Sequence, residues 1–313
     1  MGAKRLTALV VAAPPILPAV EQMTTRVPVE STQGSSPPAA TETVRLERTE
    51  GIRRILDVAD LWRFRDVALQ IAKRDVTVRY RQTFLGAAWA ILQPLATMVV
   101  FALFFGRLAH VQSEGHPYPL FSLTGLVAWT FFANALLLGS DSLTANPLLI
   151  SRIYFPRIFI PAGVLAAGLL DLTIAVVLVL IIVIVTGYGP PLAIISLSLL
   201  VVILVAAALG VASMLAAVNV RYRDVKYVVP FVTQFWLFAT PVAYPITLVA
   251  EPWRTIWAIN PMVGVVEGFR WAMLGAAHPP WALIGISAAS AMVLLAGGLA
   301  YFHAAERTFA DIL

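Results

Sequence analysis

Cysteine is absent from these 313 residues, which excludes a disulfide scaffold, a thiolate metal site and a cysteine nucleophile. Histidine is scarce, and the four at positions 110, 116, 278 and 303 have no metal-ligand spacing. Gly-Lys never occurs as a dipeptide, so there is no Gly-x-x-x-x-Gly-Lys-Ser/Thr loop to cradle nucleotide phosphates. Charge is also in short supply: Asp, Glu, Lys and Arg make up 12% of the chain, where a soluble domain carries about a quarter. What the chain has instead is apolar length. Hydrophobic residues are 59% of the sequence and the mean hydropathy is +0.83, values that belong to a membrane protein.

Crossing a hydrocarbon core of about 30 Å takes about 20 apolar helical residues. Six stretches meet that length: Phe84 to Gly106, Pro119 to Gly139, Ile158 to Thr186, Leu192 to Val218, Val228 to Val249 and Trp281 to Phe302. The predicted fold class is therefore an all-α membrane protein with six transmembrane helices. If the amino terminus is inside, 16 of the 22 basic residues fall on the inner side and 3 on the outer, the rest lying in the far amino-terminal tail. That asymmetry predicts both termini to be cytoplasmic. It also accounts for the pI near 9.7 without nucleic acid, because the basic residues hug the span ends.

Residues 1–55 read as a disordered cytoplasmic tail, since Pro14-Pro15, Pro18, Pro28 and the Gly34 to Pro38 run cannot bury a core. Lys4 and Arg5 before Leu6 to Ala13 imitate a signal peptide, but the apolar run is short and ends in two prolines, so no cleavage is expected. Residues 56–313 form the membrane domain. At its start, Asp60 to Gln82 places Leu61, Phe64, Ala68, Ile71 and Ala72 at helical spacing, with Arg63, Lys73 and Arg74 off that face. This predicts an amphipathic helix in the cytoplasmic interface. Arg79, Tyr80, Arg81 and Gln82 then run into the first span. They read either as a gate that admits a phosphate-bearing lipid or as a plain electrostatic anchor.

Pro252 to Ala277 is too polar to cross, because Glu267 and Arg270 would each cost about 3 kcal/mol at the bilayer centre. Two short re-entrant helices broken at Asn260-Pro261 are expected there, with Glu267 and Arg270 paired at i and i+3. The loop Asn146 to Arg157 carries Leu148, Leu149, Ile150, Ile153, Tyr154 and Phe155 beside Arg152 and Arg157. Such apolar side chains call for a cover, either a protein partner or lipid headgroups. Phe101, Phe104 and Phe105, Trp129, Phe131 and Phe132, and Phe231, Phe235, Trp236 and Phe238 form aromatic groups that suit either sugar stacking or ordinary membrane packing. Asp171 reads as a buried hydrogen-bonded contact rather than a proton relay, and Asp141 as an interfacial residue.

The run Lys73 to Gly86, followed by Ala88-Trp89-Ala90 and Gln93-Pro94-Leu95, resembles the start of the ABC type-2 export permeases of the O-antigen, galactan, capsule and teichoic-acid group. Further blocks resemble that family in the same order: Tyr118 to Phe121, Trp129 to Phe132, Asn146 to Ile150, Tyr154 to Arg157, Asn219 to Asp224, and Asn260-Pro261 with Glu267 to Arg270. The resemblance spans about residues 60 to 305.

The resemblance implies a transport subunit rather than an enzyme. Its expected cargo is a polyprenyl-pyrophosphate-linked polysaccharide, moved from the cytoplasm across the inner membrane. The implied assembly is a homodimer with two copies of a separate subunit that binds ATP and Mg, this chain holding no cofactor itself. It further implies that Arg79, Tyr80, Arg81 and Gln82 gate the substrate. Trp89, Phe101, Phe104, Phe235 and Trp236 would line the conduit, and Glu267 with Arg270 would contribute to an outer gate. Leu149, Ile150, Arg152, Tyr154, Phe155 and Arg157 would couple to the ATPase. Export of a drug or small lipid on the same fold is the alternative, and an integral-membrane glycosyl- or acyl-transferase a further one; the latter would need a cluster of acids, histidines or metal ligands at one face, which this sequence does not display.

Overall fold

The computed structural model describes residues 65–80, 88–147, 149, 155–188, 195–275, 279–307 and 309. The predicted tail 1–55 lies outside them, as do Arg81, Gln82, Ile150, Arg152 and Tyr154 and the side chain of Arg79. Among the described residues the regular elements are all helical, joined by turns and irregular segments, without strands. We number the helices α1 (Arg65–Tyr80), α2 (Trp89–Leu108), α3 (Tyr118–Asp141), α4 (Phe159–Val185), α5 (Leu197–Arg221), α6 (Val225–Phe238), α7 (Trp253–Trp257), α8 (Pro261–Leu274) and α9 (Trp281–Glu306). Five of them, α2, α3, α4, α5 and α9, are long and apolar enough to cross a membrane.

The fifth predicted span differs from its expectation. A continuous helix over Val228 to Val249 is replaced by α6, which ends at Phe238, then turns and a 3-10 turn at Ile246–Leu248. Pro241 and Pro245 explain the break, because each lacks an N–H and excludes the residue before it from helical geometry. The 14 residues of α6 reach about 21 Å, and the irregular backbone that follows is buried at Thr240, Val242 and Ala243, where protein rather than lipid surrounds it.

The apolar character of α3 runs all round it, and so does its burial: Phe121, Leu123, Leu126, Ala128, Phe132 and Leu136 are all enclosed. Helices α2, α4, α5, α6 and α8 pack on it. Helices α5 and α9 meet at Gly210 and Gly298, where a methyl group at either position would overlap the other helix's backbone. Small residues allow this approach, and dispersion between the two surfaces then holds the pair.

Ile71, Leu143, Phe155, Phe159, Ile160, Val220, Phe302 and Phe309 form one apolar cluster. It gathers the end of α3, the start of α4, the end of α5 and the end of α9, so Arg157, Arg221, Arg223, Lys226 and Arg307 belong to one end of the bundle. Arg107 at the end of α2, Glu114, Glu251 and Arg254 belong to the other.

Candidate functional site

Helix α1 packs on α4 through Ile71 at Gly163, where the missing side chain makes room. Its last residue, Tyr80, donates its hydroxyl to the Asp171 carboxylate two turns further along α4. The apolar face expected to rest among headgroups is thus covered in part by a neighbouring helix. Beside this contact α2, α3 and α4 line an open cavity of about 320 Å³, with Tyr80 and Trp89 on its lining. Its polar lining is completed by Gln93, Thr130, Asn134 and Asp171. Most of the remaining surface is aliphatic.

The five predicted conduit aromatics divide into two groups. Trp89 (56% exposed), Phe104 and Phe235 (61%) stand outward on this chain. Phe101 is buried edge-on to Phe105, with ring centroids 5.3 Å apart. Trp236 packs edge-on to Phe132 at 5.0 Å and donates its indole N–H to Asn260 Oδ1 at 2.9 Å. On α6 the outward face continues as Tyr227, Phe231, Phe235 and Phe238, residues three and four apart that form one stripe. Phe231 and Phe235 lie 4.6 Å apart on it.

Glu267 and Arg270 do pair on α8. Nη1 of Arg270 donates to Glu267 Oε1 at 2.8 Å, and the two residues are 4% and 7% exposed for Arg270 and Glu267 respectively. The guanidinium has further partners. Nη2 donates to the carbonyl of Val242 at 2.7 Å, Nε donates to that of Phe121 at 3.4 Å, and Cζ lies 3.7 Å from the Phe121 ring centroid. One side chain therefore joins α8, the irregular segment after α6 and the first turn of α3. Charge-assisted bonds of this kind are about twice as strong as neutral ones, and the fork geometry fixes their directions.

At the basic end, Phe155 is 6% exposed within the chain's own apolar cluster and Leu149 packs against the same cluster. Arg157 is tied to α9: its backbone N–H donates to Glu306 Oε1 at 3.2 Å and its Nη1 to the Glu306 carbonyl at 2.6 Å. Asn219 Nδ2 donates to the Ser140 carbonyl at 3.0 Å, joining α5 to α3 beside Asp141. Three of the six predicted coupling residues, Ile150, Arg152 and Tyr154, lie outside the described residues.

Residues 67–274 match the ABC-2 type transporter family. The chain belongs to that family. It is 28% identical over 261 residues to the O-antigen export system permease protein RfbA of Myxococcus xanthus, covering 81% of this chain and 98% of that one. A protein of the same name from Klebsiella pneumoniae is 27% identical over 251 residues, 79% of this chain and 95% of its own length. The polysialic acid transport protein KpsM of Escherichia coli is 24% identical over 234 residues, 74% of this chain and 91% of that one. As an ABC-2 permease the chain is a multi-pass membrane transport subunit without an ATPase domain. In this family ATP is bound by a separate subunit, with which the permease pairs.

Several residues that organise this permease were not singled out by sequence reasoning. Asn260 was expected only to break a helix, yet its carbonyl oxygen caps α8 by accepting from the Met262 N–H at 3.0 Å, and its amide donates to Thr240 Oγ1 at 2.9 Å. Asn followed by Pro at the first helical position is a helix-start signal. Gln93 and Thr130 entered only as parts of family-like blocks, with no role of their own, and Asn134 not at all, although intramembrane polar residues are functional pointers by default.

Proposed function

We propose that this chain is the permease of an exporter that carries a polyprenyl-pyrophosphate-linked polysaccharide from the cytoplasm to the outer face of the inner membrane. In this reading two copies assemble with two ATP-binding subunits, and both termini are cytoplasmic. The observation that carries it is coverage: three glycan-transport permeases, two for O-antigen and one for polysialic acid, align over more than nine-tenths of their own lengths. The concentration of Arg157, Arg221, Arg223 and Lys226 at one end supports the orientation.

The chain's residues then divide the task. Arg79 and Arg81 hold the pyrophosphate in forked, two-oxygen contacts, with Tyr80 and Gln82 beside them. Trp89, Phe104 and Phe235 stand on α2 and α6, which flank α3 on the single chain, and in a dimer they offer rings to the passing glycan; Phe101 and Trp236 hold those helices from within. Leu149, Ile150, Arg152 and Tyr154 face the ATPase, and Phe155 and Arg157 anchor that loop to the bundle. Glu267 and Arg270 brace the opposite end, so that an outer gate opens only if the elements they join move together. Deleting the coding sequence in its native cell tests the reading: surface polysaccharide should be lost while carrier-linked glycan accumulates inside. Unchanged surface polysaccharide would refute it, and loss of drug resistance alone would point to a small-molecule exporter.

A further inference from the structure

The cavity between α2, α3 and α4 has a lining that neither lipid nor helix packing explains. Trp89 offers an exposed indole face, Gln93 and Asn134 offer amides, Thr130 a hydroxyl and Asp171 a carboxylate, all on one cavity of about 320 Å³. Among the described residues, none hydrogen-bonds the side chain of Gln93, Thr130 or Asn134. Gln93 is exposed and Thr130 and Asn134 are half-buried on this chain, so their polar groups are accessible from the cavity, and a polar occupant satisfies them where a lipid tail would not. An amide presents a donor and an acceptor side by side, which matches two neighbouring hydroxyls on a ring. An aromatic face beside them matches the apolar C–H face of the same ring, since indole joins an apolar body to a polar edge. The volume lies at the lower end of the roughly 300–1,000 Å³ of small-ligand pockets, room for one ring rather than a chain.

We infer that this cavity binds a single hydroxyl-rich ring, the sugar residue bonded directly to the lipid carrier. The source of that ring rests on the export reading above; its chemistry does not. Position along the chain supports the assignment, because Tyr80, which bonds Asp171 at the cavity, is the sequence neighbour of both arginines of the proposed pyrophosphate gate. In a carrier-linked glycan the pyrophosphate is bonded to the first sugar, so a phosphate held there delivers that ring to the adjoining space. Selection among glycans would then act at the first sugar, before the polymer enters the conduit.

The test uses the full chain in phosphatidylethanolamine–phosphatidylglycerol nanodiscs. Equilibrium binding is measured for radiolabelled polyprenyl pyrophosphate bearing one N-acetylhexosamine, for the bare carrier, and for phosphatidylinositol as an alternative polyol. The wild-type chain should bind the sugar-bearing carrier about tenfold more tightly than the bare one. Asn134→Leu and Gln93→Leu should each reduce that preference by about three- to tenfold, the equivalent of one lost hydrogen bond, while bare-carrier affinity stays constant and shows the fold intact. Thr130→Val is the second choice if either fails to accumulate, and Asn134→Gln should restore part of the preference. Equal binding of both carriers by the wild type, or an unchanged preference in the leucine variants, overturns the site. Phosphatidylinositol binding lost in those variants, without any preference between carriers, reassigns the ring to a lipid headgroup and overturns the glycan assignment. Failure of the wild type to bind either carrier removes the export reading itself, and the sugar assignment with it.

Discussion

Arg270→Met tests what holds the end of the bundle opposite the basic loops. The substitution keeps an unbranched apolar stem but removes the 2.8 Å pair with Glu267 and the 2.7 Å bond to the Val242 carbonyl. Glu267 remains as a buried carboxylate without its cation, and breaking such a pair from one side costs about 3–5 kcal/mol. The loss should be visible in SDS titrations of the purified chain in bicelles, followed by circular dichroism. The double variant Glu267→Leu, Arg270→Met removes both charges and should recover about 2–3 kcal/mol of that loss, the scale of coupling between directly paired residues. Arg270→Lys keeps a charge near Glu267 but cannot also reach Val242 and Phe121 with a planar fork, so it should lie between wild type and methionine. A double variant no more stable than Arg270→Met would refute the pairing argument. Full stability of Arg270→Met together with lost export would show that the pair acts as a gate and not as a brace.

Phosphate recognition at the gate predicts that the double variant Arg79→Lys, Arg81→Lys depresses export at equal protein level while Arg63→Lys is tolerated; a simple anchor predicts that all three lysines work alike, and surface glycan in cells decides. Because no native cysteine interferes, single cysteines at 150, 222 and 254 can test the proposed orientation with an impermeant outside reagent, which should label 254 alone. Phe155, buried in the chain's own apolar cluster, and its neighbour Tyr154, proposed to face the ATPase, carry different expectations. Phe155→Ala should destabilise the permease by about 3–5 kcal/mol, as emptying a packed aromatic site does, whereas Tyr154→Ala should leave it folded and weaken its hold on the ATPase in pull-down assays.

The membrane helices were legible because a crossing needs uninterrupted apolar length, and composition records that directly. The break after Phe238 was hidden by the same measure: Pro241, Val242, Ala243 and Pro245 are as apolar as helix, and only the prolines' geometry marks the turn. The Glu267–Arg270 pair was readable from its i, i+3 spacing, but its anchors were not, since Val242 and Phe121 enter through backbone carbonyls that no side-chain pattern reveals. Tyr80 and Asp171 were each marked as polar residues of interest, yet their contact joins positions 91 residues apart, beyond the reach of periodicity. Phe155 shows the converse. Its apolar character in a loop predicted a need for cover, and the chain supplies that cover itself from α4, α5 and α9.

ATP-driven movement of a carrier-linked glycan is the central claim, and reconstitution measures it most directly. The permease, purified together with its ATP-binding partner, is placed in sealed proteoliposomes loaded on the ATP-accessible side with polyprenyl-pyrophosphate-linked polysaccharide, and the appearance of glycan on the opposite face is followed with an impermeant lectin. The account predicts translocation that requires ATP, requires both subunits, and does not occur when the glycan lacks its pyrophosphate carrier. Glycan crossing without ATP or without the partner, or no crossing at all by a complex that hydrolyses ATP, would contradict it.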